Sequence, residues 1–134
     1  MIFYQGLDIV DIRRINKLYN KYGLKLLEKI LTDKEKNILN SVKDKKVLIE
    51  KIANRFAAKE ATSKALGIGF SDGITLKNIE VLNDLLNKPN IKLIGAARKR
   101  FVYLKNKKKN EILSISLSNE RNYAVASVNI IFYW

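Results

Sequence analysis

One uninterrupted helical pattern runs from residue 45 to residue 66 and stops at Gly67, with no glycine or proline inside it. It is the longest regular stretch of the chain, so every other element has to be arranged around it. Ala53, Ala57, Ala61 and Ala65 recur every four residues along it. That spacing stacks them into one ridge of small side chains, which lets another backbone approach closely. Phe56, Glu60 and Lys64 form the neighbouring ridge, which sets a carboxylate and an amine one helical turn apart beside a packed face. A Glu–Lys pair at this spacing is ordinarily a surface ion pair. The alanines on one side, and the exit through Gly67, Gly69 and Gly73, make this pair a candidate site instead.

The chain's 134 residues are enough for one domain with a real core and too few for two, so residues 1–134 are read as a single domain. Hydrophobic residues make up 47%, which excludes disorder. There is no cysteine, so disulfides and thiolate chemistry are excluded, and a reducing, cytoplasmic setting fits. There is no histidine either, so imidazole can serve neither as base nor as metal ligand. Any metal must be held by oxygen, which favours magnesium, manganese or calcium. Lysine and arginine number 26 against 13 acidic residues, a net charge of +13. Such a field attracts a polyanion: nucleic acid, an anionic membrane, a phosphate-rich cofactor or an acidic protein. No apolar run is long enough to span a membrane, and no signal peptide is expected.

Alternation predicts an opening strand over 2–12, with Asp8, Val10 and Ile12 sharing a face. Asp11 caps a helix through about Tyr22, ended by Gly23. Thr32-Asp33-Lys34-Glu35 is a capping box that starts a short helix to about Asn40. Strands are predicted over 76–82 and 91–94, joined by a turn at Asn87-Lys88-Pro89-Asn90. A basic helix over 96–105 leads into a lysine-rich loop, and strands over 112–117 and 123–131 close a hairpin around residues 119–122. With no repeat and no linker, the expected fold is α+β: a small antiparallel sheet packed on the long central helix.

Three segments carry a family resemblance: Gly6-Leu7-Asp8-Ile9-Val10-Asp11-Ile12, the run Arg55-Phe56-Ala57-Ala58-Lys59-Glu60-Ala61 continuing through Lys64 to Gly69, and Ile115-Ser116-Leu117-Ser118. Together with Thr32, Glu35 and Lys88-Pro89, they resemble the holo-acyl-carrier-protein synthases, which are 4′-phosphopantetheinyl transferases, over nearly the whole chain. The resemblance implies transfer of the phosphopantetheine arm of coenzyme A to a serine of an acyl carrier protein in fatty acid biosynthesis, releasing adenosine 3′,5′-bisphosphate. It implies that Asp8 and Glu60 hold magnesium, or manganese in its place. It also implies that Glu60 takes the serine proton, directly or through a water, and that Lys64 stabilises charge at the diphosphate.

For coenzyme A the resemblance implies further contacts. Amides near Gly67 and Gly69 approach the coenzyme, although Gly67 is also a helix cap. Arg55 reaches the 3′-phosphate or is simply a solvated charge. Pro89 lies near the adenine, and Ser116 belongs to the same site. Asn119 stands where the family often has a histidine that contacts the coenzyme from a neighbouring subunit. Asparagine can hydrogen-bond but carries no charge, and its alternative reading is a plain hairpin-turn residue. The family assembles as homotrimers with sites between subunits. Its first helix meets the acidic carrier, a role implied here for Arg14, Lys21 and Lys25. Two alternatives compete: a basic RNA-binding domain without catalysis, and a catalytically weakened relative that keeps coenzyme A. The aromatic residues form no base-stacking motif, and RNA binding would need neither Asp8 nor Glu60, so neither nucleic acid nor membrane is expected as a partner.

Overall fold

The computed structural model describes residues 1–134, and the long helical pattern is its axis: helix α4, Lys45–Ala65. Asp44 caps it by accepting from the Val47 amide. In chain order the elements are strand β1 (Ile2–Asp11), helices α1 (Ile12–Tyr22), α2 (Leu24–Ile30), α3 (Asp33–Leu39) and α4, a 3-10 turn (Leu76–Asn78), strands β2 (Ile79–Asn83) and β3 (Pro89–Leu93), helix α5 (Gly95–Lys105), and strands β4 (Asn110–Glu120) and β5 (Tyr123–Tyr133).

The alanine ridge does what its spacing predicts. Ala53, Ala57, Ala61 and Ala65 are buried, and β1 lies close over them at Gly6. A Cβ on Gly6 would fall 1.8 Å from the Ala61 carbonyl oxygen, so only glycine admits this approach. Strand β1 pairs antiparallel with β5, and β5 with β4. Alternate residues of this sheet, among them Val10, Ala126, Val128 and Phe132, bury against the helical layer.

The fold is α+β as expected, but the strands form two sheets. β2 and β3 pair only with each other, in a register running from Ile79–Leu93 to Asn83–Pro89. The predicted strand over 76–82 starts late because the Thr75 amide donates to Asn78 Oδ1 and folds Leu76–Asn78 into a 3-10 turn. The predicted turn also moves. Pro89 and Asn90 lie inside β3, and the chain reverses before them, where Asp84 Oδ1 accepts from the Leu86 and Lys88 amides and Asn87 takes a φ of +62°.

Helix α2 was not anticipated. Gly23, with a φ of +54°, ends α1 and the helix restarts at once, burying Leu26 and Ile30. Their four-residue spacing was the signal for it.

A buried polar network joins these elements. Lys59 and Glu35 are both 0% exposed, and Lys59 Nζ donates to Glu35 Oε1 at 2.6 Å, the Ile30 carbonyl at 2.7 Å and the Leu76 carbonyl at 3.1 Å. All three ammonium donors are therefore used. Glu35 forms the expected capping box by accepting from the Thr32 amide, and its other oxygen accepts from the Val81 amide. The Thr32 hydroxyl donates to Glu80 Oε2. The capping box thus also ties α3 to α4 and β2, a role that local sequence does not announce.

Candidate active site

Asp8 shares the face of β1 that carries Gly6 and Val10, so the close contact at Gly6 brings its carboxylate against α4. Lys64 Nζ donates to Asp8 Oδ1 at 2.9 Å and to the Leu7 carbonyl at 3.0 Å. Glu60, one turn earlier on the same ridge, is half-buried. Burial pushes its carboxyl above the ordinary carboxylate range, the Asp8 charge pushes it further, and Lys64 and Arg14 pull it back. Asp8, Arg14, Glu60 and Lys64 therefore act on one another from β1, α1 and α4. Arg14 also lies over the Phe56 ring, 6.0 Å from its centroid.

The donor set suits a hard divalent cation. It offers two carboxylates, Asp8 and Glu60, and so oxygen donors alone, without a third acidic side chain to complete a metal-holding group. Magnesium takes such a site with one or two carboxylates, filling its remaining positions with water and substrate phosphates.

The other expected site residues fall elsewhere. Pro89 and Ser116 line a cleft of about 410 Å³ together with Asn83, Asn87 and Lys88, and neither Asp8, Glu60 nor Lys64 lines it. Asn119, at the end of β4, donates through Nδ2 to Asn54 Oδ1 on α4 at 3.1 Å, and so does more than shape the hairpin.

Gly67 and Gly69 follow the last turn of α4. The Gly67 amide donates to the Lys64 carbonyl at 3.0 Å and the Gly69 amide to the Ser63 carbonyl at 3.2 Å. Both amides turn inward onto the end of α4, because the last carbonyls of a helix need donors. Arg100 Nε completes the cap by donating to the Leu66 carbonyl at 2.9 Å, a contact from α5 that the linear spacing does not reveal.

Arg55 is not a solvated charge. It is 7% exposed, with Nε 3.6 Å from Glu35 Oε2 and no hydrogen-bond partner for that nitrogen. It follows the ridge of Lys59, not that of Glu60.

Arg14 and Lys21 lie on α1 as expected, whereas Lys25 belongs to α2, beyond the break at Gly23. Arg14 and Lys25, with Lys29, rim an apolar groove of about 530 Å³ lined by Leu18, Leu26 and Phe56. Lys21 lies beside the groove, stacked on the Tyr22 ring. Sequence periodicity pointed to the cations but not to the groove between them.

The family model described as the 4′-phosphopantetheinyl transferase superfamily matches residues 5–128. This chain belongs to that superfamily. A superfamily relative named holo-[acyl-carrier-protein] synthase, from Halorhodospira halophila, is 40% identical over 131 residues, covering 98% of each chain. The crystal structure of the holo-[acyl-carrier-protein] synthase from Neisseria meningitidis superposes with a TM-score of 0.82 at 31% identity, covering 98% of this chain and 99% of that one. A holo-(acyl-carrier-protein) synthase from Bacillus anthracis, in complex with CoA (3′,5′-ADP), superposes with a TM-score of 0.77 at 33% identity, covering 98% and 96%. Membership of a transferase superfamily, across almost the whole chain, takes the place of the non-catalytic RNA-binding alternative. No helix is long and apolar enough to cross a membrane.

Proposed function

We propose that this chain transfers the 4′-phosphopantetheine group of coenzyme A to a serine hydroxyl of an apo acyl carrier protein, in the cytoplasm and in support of fatty acid biosynthesis. The observation that carries the reading is the convergence of Asp8, Glu60 and Lys64, with Lys64 Nζ 2.9 Å from Asp8 Oδ1. The reaction needs these groups. The serine oxygen forms a bond to the phosphorus next to pantetheine, the bridging oxygen–phosphorus bond of the diphosphate breaks, and adenosine 3′,5′-bisphosphate departs. The serine proton goes to Glu60, directly or through a water, and burial beside Asp8 raises that carboxyl's affinity for it. Lys64, released from Asp8, neutralises the charge that grows on the departing phosphate. Asp8 and Glu60 would hold magnesium, or manganese, which would supply orientation and charge neutralisation at the diphosphate.

The cleft of Pro89 and Ser116 suits the nucleotide end of coenzyme A, and Asn119 stands near it in sequence. Arg55 enters as the partner of Glu35, and a contact from it to the 3′-phosphate rests on the motif match alone. The nucleotide cleft and the reaction cluster are lined by different residues of one chain. Assembly into a homotrimer would set the cleft of one copy against the reaction cluster of the next. The basic rim at Arg14 and Lys25, with Lys21 beside it, suits the acidic carrier, and the groove between suits an apolar side chain on it.

The test is to incubate the chain with apo acyl carrier protein, coenzyme A and magnesium, and to weigh the carrier by mass spectrometry. A phosphopantetheine adduct is expected with the wild type and none with Glu60→Gln or Asp8→Asn. No adduct from the wild type would overturn the reading, and turnover retained in either variant would remove that residue from the site.

A further inference from the structure

Lys64 does not make the contact that its spacing offers. An ammonium four residues after a glutamate on a helix ordinarily pairs with that glutamate. Here Lys64 Nζ reaches off α4 to β1, donating to Asp8 Oδ1 at 2.9 Å and to the Leu7 carbonyl at 3.0 Å. Glu60 is left without an ion pair, although the two side chains rise from one ridge. The Lys64 side chain is 52% exposed and that of Asp8 14%, so the lysine has room to leave while the carboxylate it holds stays in place. A half-exposed ion pair of this kind is weak, and exchanging it for another costs little.

The cluster is already balanced in charge. Asp8 and Glu60 contribute two negative charges, and Lys64 and Arg14 two positive ones. A divalent cation entering between the carboxylates would leave an excess of two positive charges. Like charges this close oppose each other, and they do so whether or not they share an oxygen. Arg14 acts on Glu60 without a hydrogen bond to either acid, whereas Lys64 occupies a carboxylate oxygen. Lys64 is therefore the rival that the cation has to meet.

A second anion resolves the conflict. The diphosphate of coenzyme A offers the ammonium a new partner and offers the cation phosphate oxygens in addition to the carboxylates. Whatever draws Lys64 off Asp8 strengthens the hold on the cation, and by linkage the cation strengthens the hold on the coenzyme by the same factor. We propose that Lys64 is the resident counter-ion of Asp8 in the free chain, that it opposes a divalent cation there, and that its transfer to the diphosphate couples cation binding to coenzyme binding. The inference rests on the reaction proposed above and adds a control on when its site fills.

Manganese(II), titrated into the full chain and followed by the paramagnetic resonance of the free ion, reads metal affinity without turnover. Without coenzyme, Lys64→Met is expected to bind manganese about tenfold more tightly than the wild type, the size expected for removing one close positive charge at a water-like dielectric. Lys109→Met lowers the net charge equally at a place remote from Asp8 in the sheet register, and it should bind as the wild type does. Adding coenzyme A should tighten manganese binding by a larger factor in the wild type than in Lys64→Met. Far-UV circular dichroism should be unchanged in both variants. Equal or weaker binding by Lys64→Met overturns the proposal, and so does an equal gain from coenzyme A in both proteins. A matching gain in Lys109→Met overturns it in favour of net charge. A gain that persists when Asp8→Asn is added to Lys64→Met places the ion away from Asp8 and overturns it too. No bound manganese in any of the proteins overturns it together with the metal site. Transfer to the carrier by the wild type, with unaltered manganese affinity in Lys64→Met, sinks this inference alone. Tighter binding by Lys64→Met, with no transfer by the wild type, leaves the inference standing and sinks the reaction.

Discussion

The Glu60 carboxyl is partly buried beside the negative Asp8, and burial more than Asp8 raises its proton affinity in the folded chain. The folded state therefore holds the proton to a higher pH than the unfolded state does, and stability falls as pH rises from the ordinary carboxylate value through the raised one. Glu60→Gln removes that penalty. In metal-free buffer the variant should melt above the wild type at neutral pH, and the difference should vanish below about pH 4, where glutamate is protonated in both states. Thermal melts against pH check the sign. Lys59, the preceding residue, has the opposite fate: one step along the helix turns it from the reaction ridge into the core, where Glu35 neutralises it. Neighbours in sequence thus serve chemistry and architecture separately.

Between elements, the decisive contact is β1 on α4. Gly6 meets the Ala61 carbonyl and the Ala65 amide, backbone against backbone, so no flexible side chain can yield to an added methyl group. Gly6→Ala should cost about 3 kcal/mol in urea denaturation, at the upper end of overpacking effects. It should also cut transferase activity by moving Asp8 away from Lys64. Unchanged stability would mean that the strand can lift without consequence. The capped exit of α4 acts at the same scale. The Gly67 and Gly69 amides and Arg100 are all turned onto its final carbonyls, just beyond Lys64.

Across the whole molecule, charge and apolar surface are kept apart. Cations crowd the α1–α2 groove, while on the outer face of the three-stranded sheet the cross-strand rows that begin at Phe3, Gln5, Leu7 and Ile9 carry none. The cationic side is thereby suited to an acidic carrier. Attraction between exposed charges is screened over about 8–10 Å at physiological salt. The KM for the carrier should therefore rise with sodium chloride while kcat changes little, and Arg14→Gln with Lys25→Gln should flatten that rise. Steady-state kinetics over a salt series reads both slopes. A salt-independent KM in the wild type would take the groove out of carrier recognition.

What the sequence determined by itself was local or family-wide. The caps at Asp11, Thr32 and Gly23 follow from hydrogen bonds that close within a few residues, and the length and alanine ridge of α4 follow from periodicity. The constellation of Asp8, Glu60 and Lys64 was legible because the motifs bearing it are specific in combination, and the structure brings the three together. Tertiary structure alone decided the rest. It divided the strands into two sheets, sank Arg55 and Lys59 against Glu35, and turned the glycine amides inward. It also exposed a charge-free sheet face with one unmet acceptor at Asn129. Each of these depends on which distant segment arrives opposite, as Glu80 does for Thr32 and Leu76 for Lys59. A lysine in a helical pattern reads the same whether water or a carboxylate awaits it, and only the packed chain supplies the partner that makes its burial tolerable.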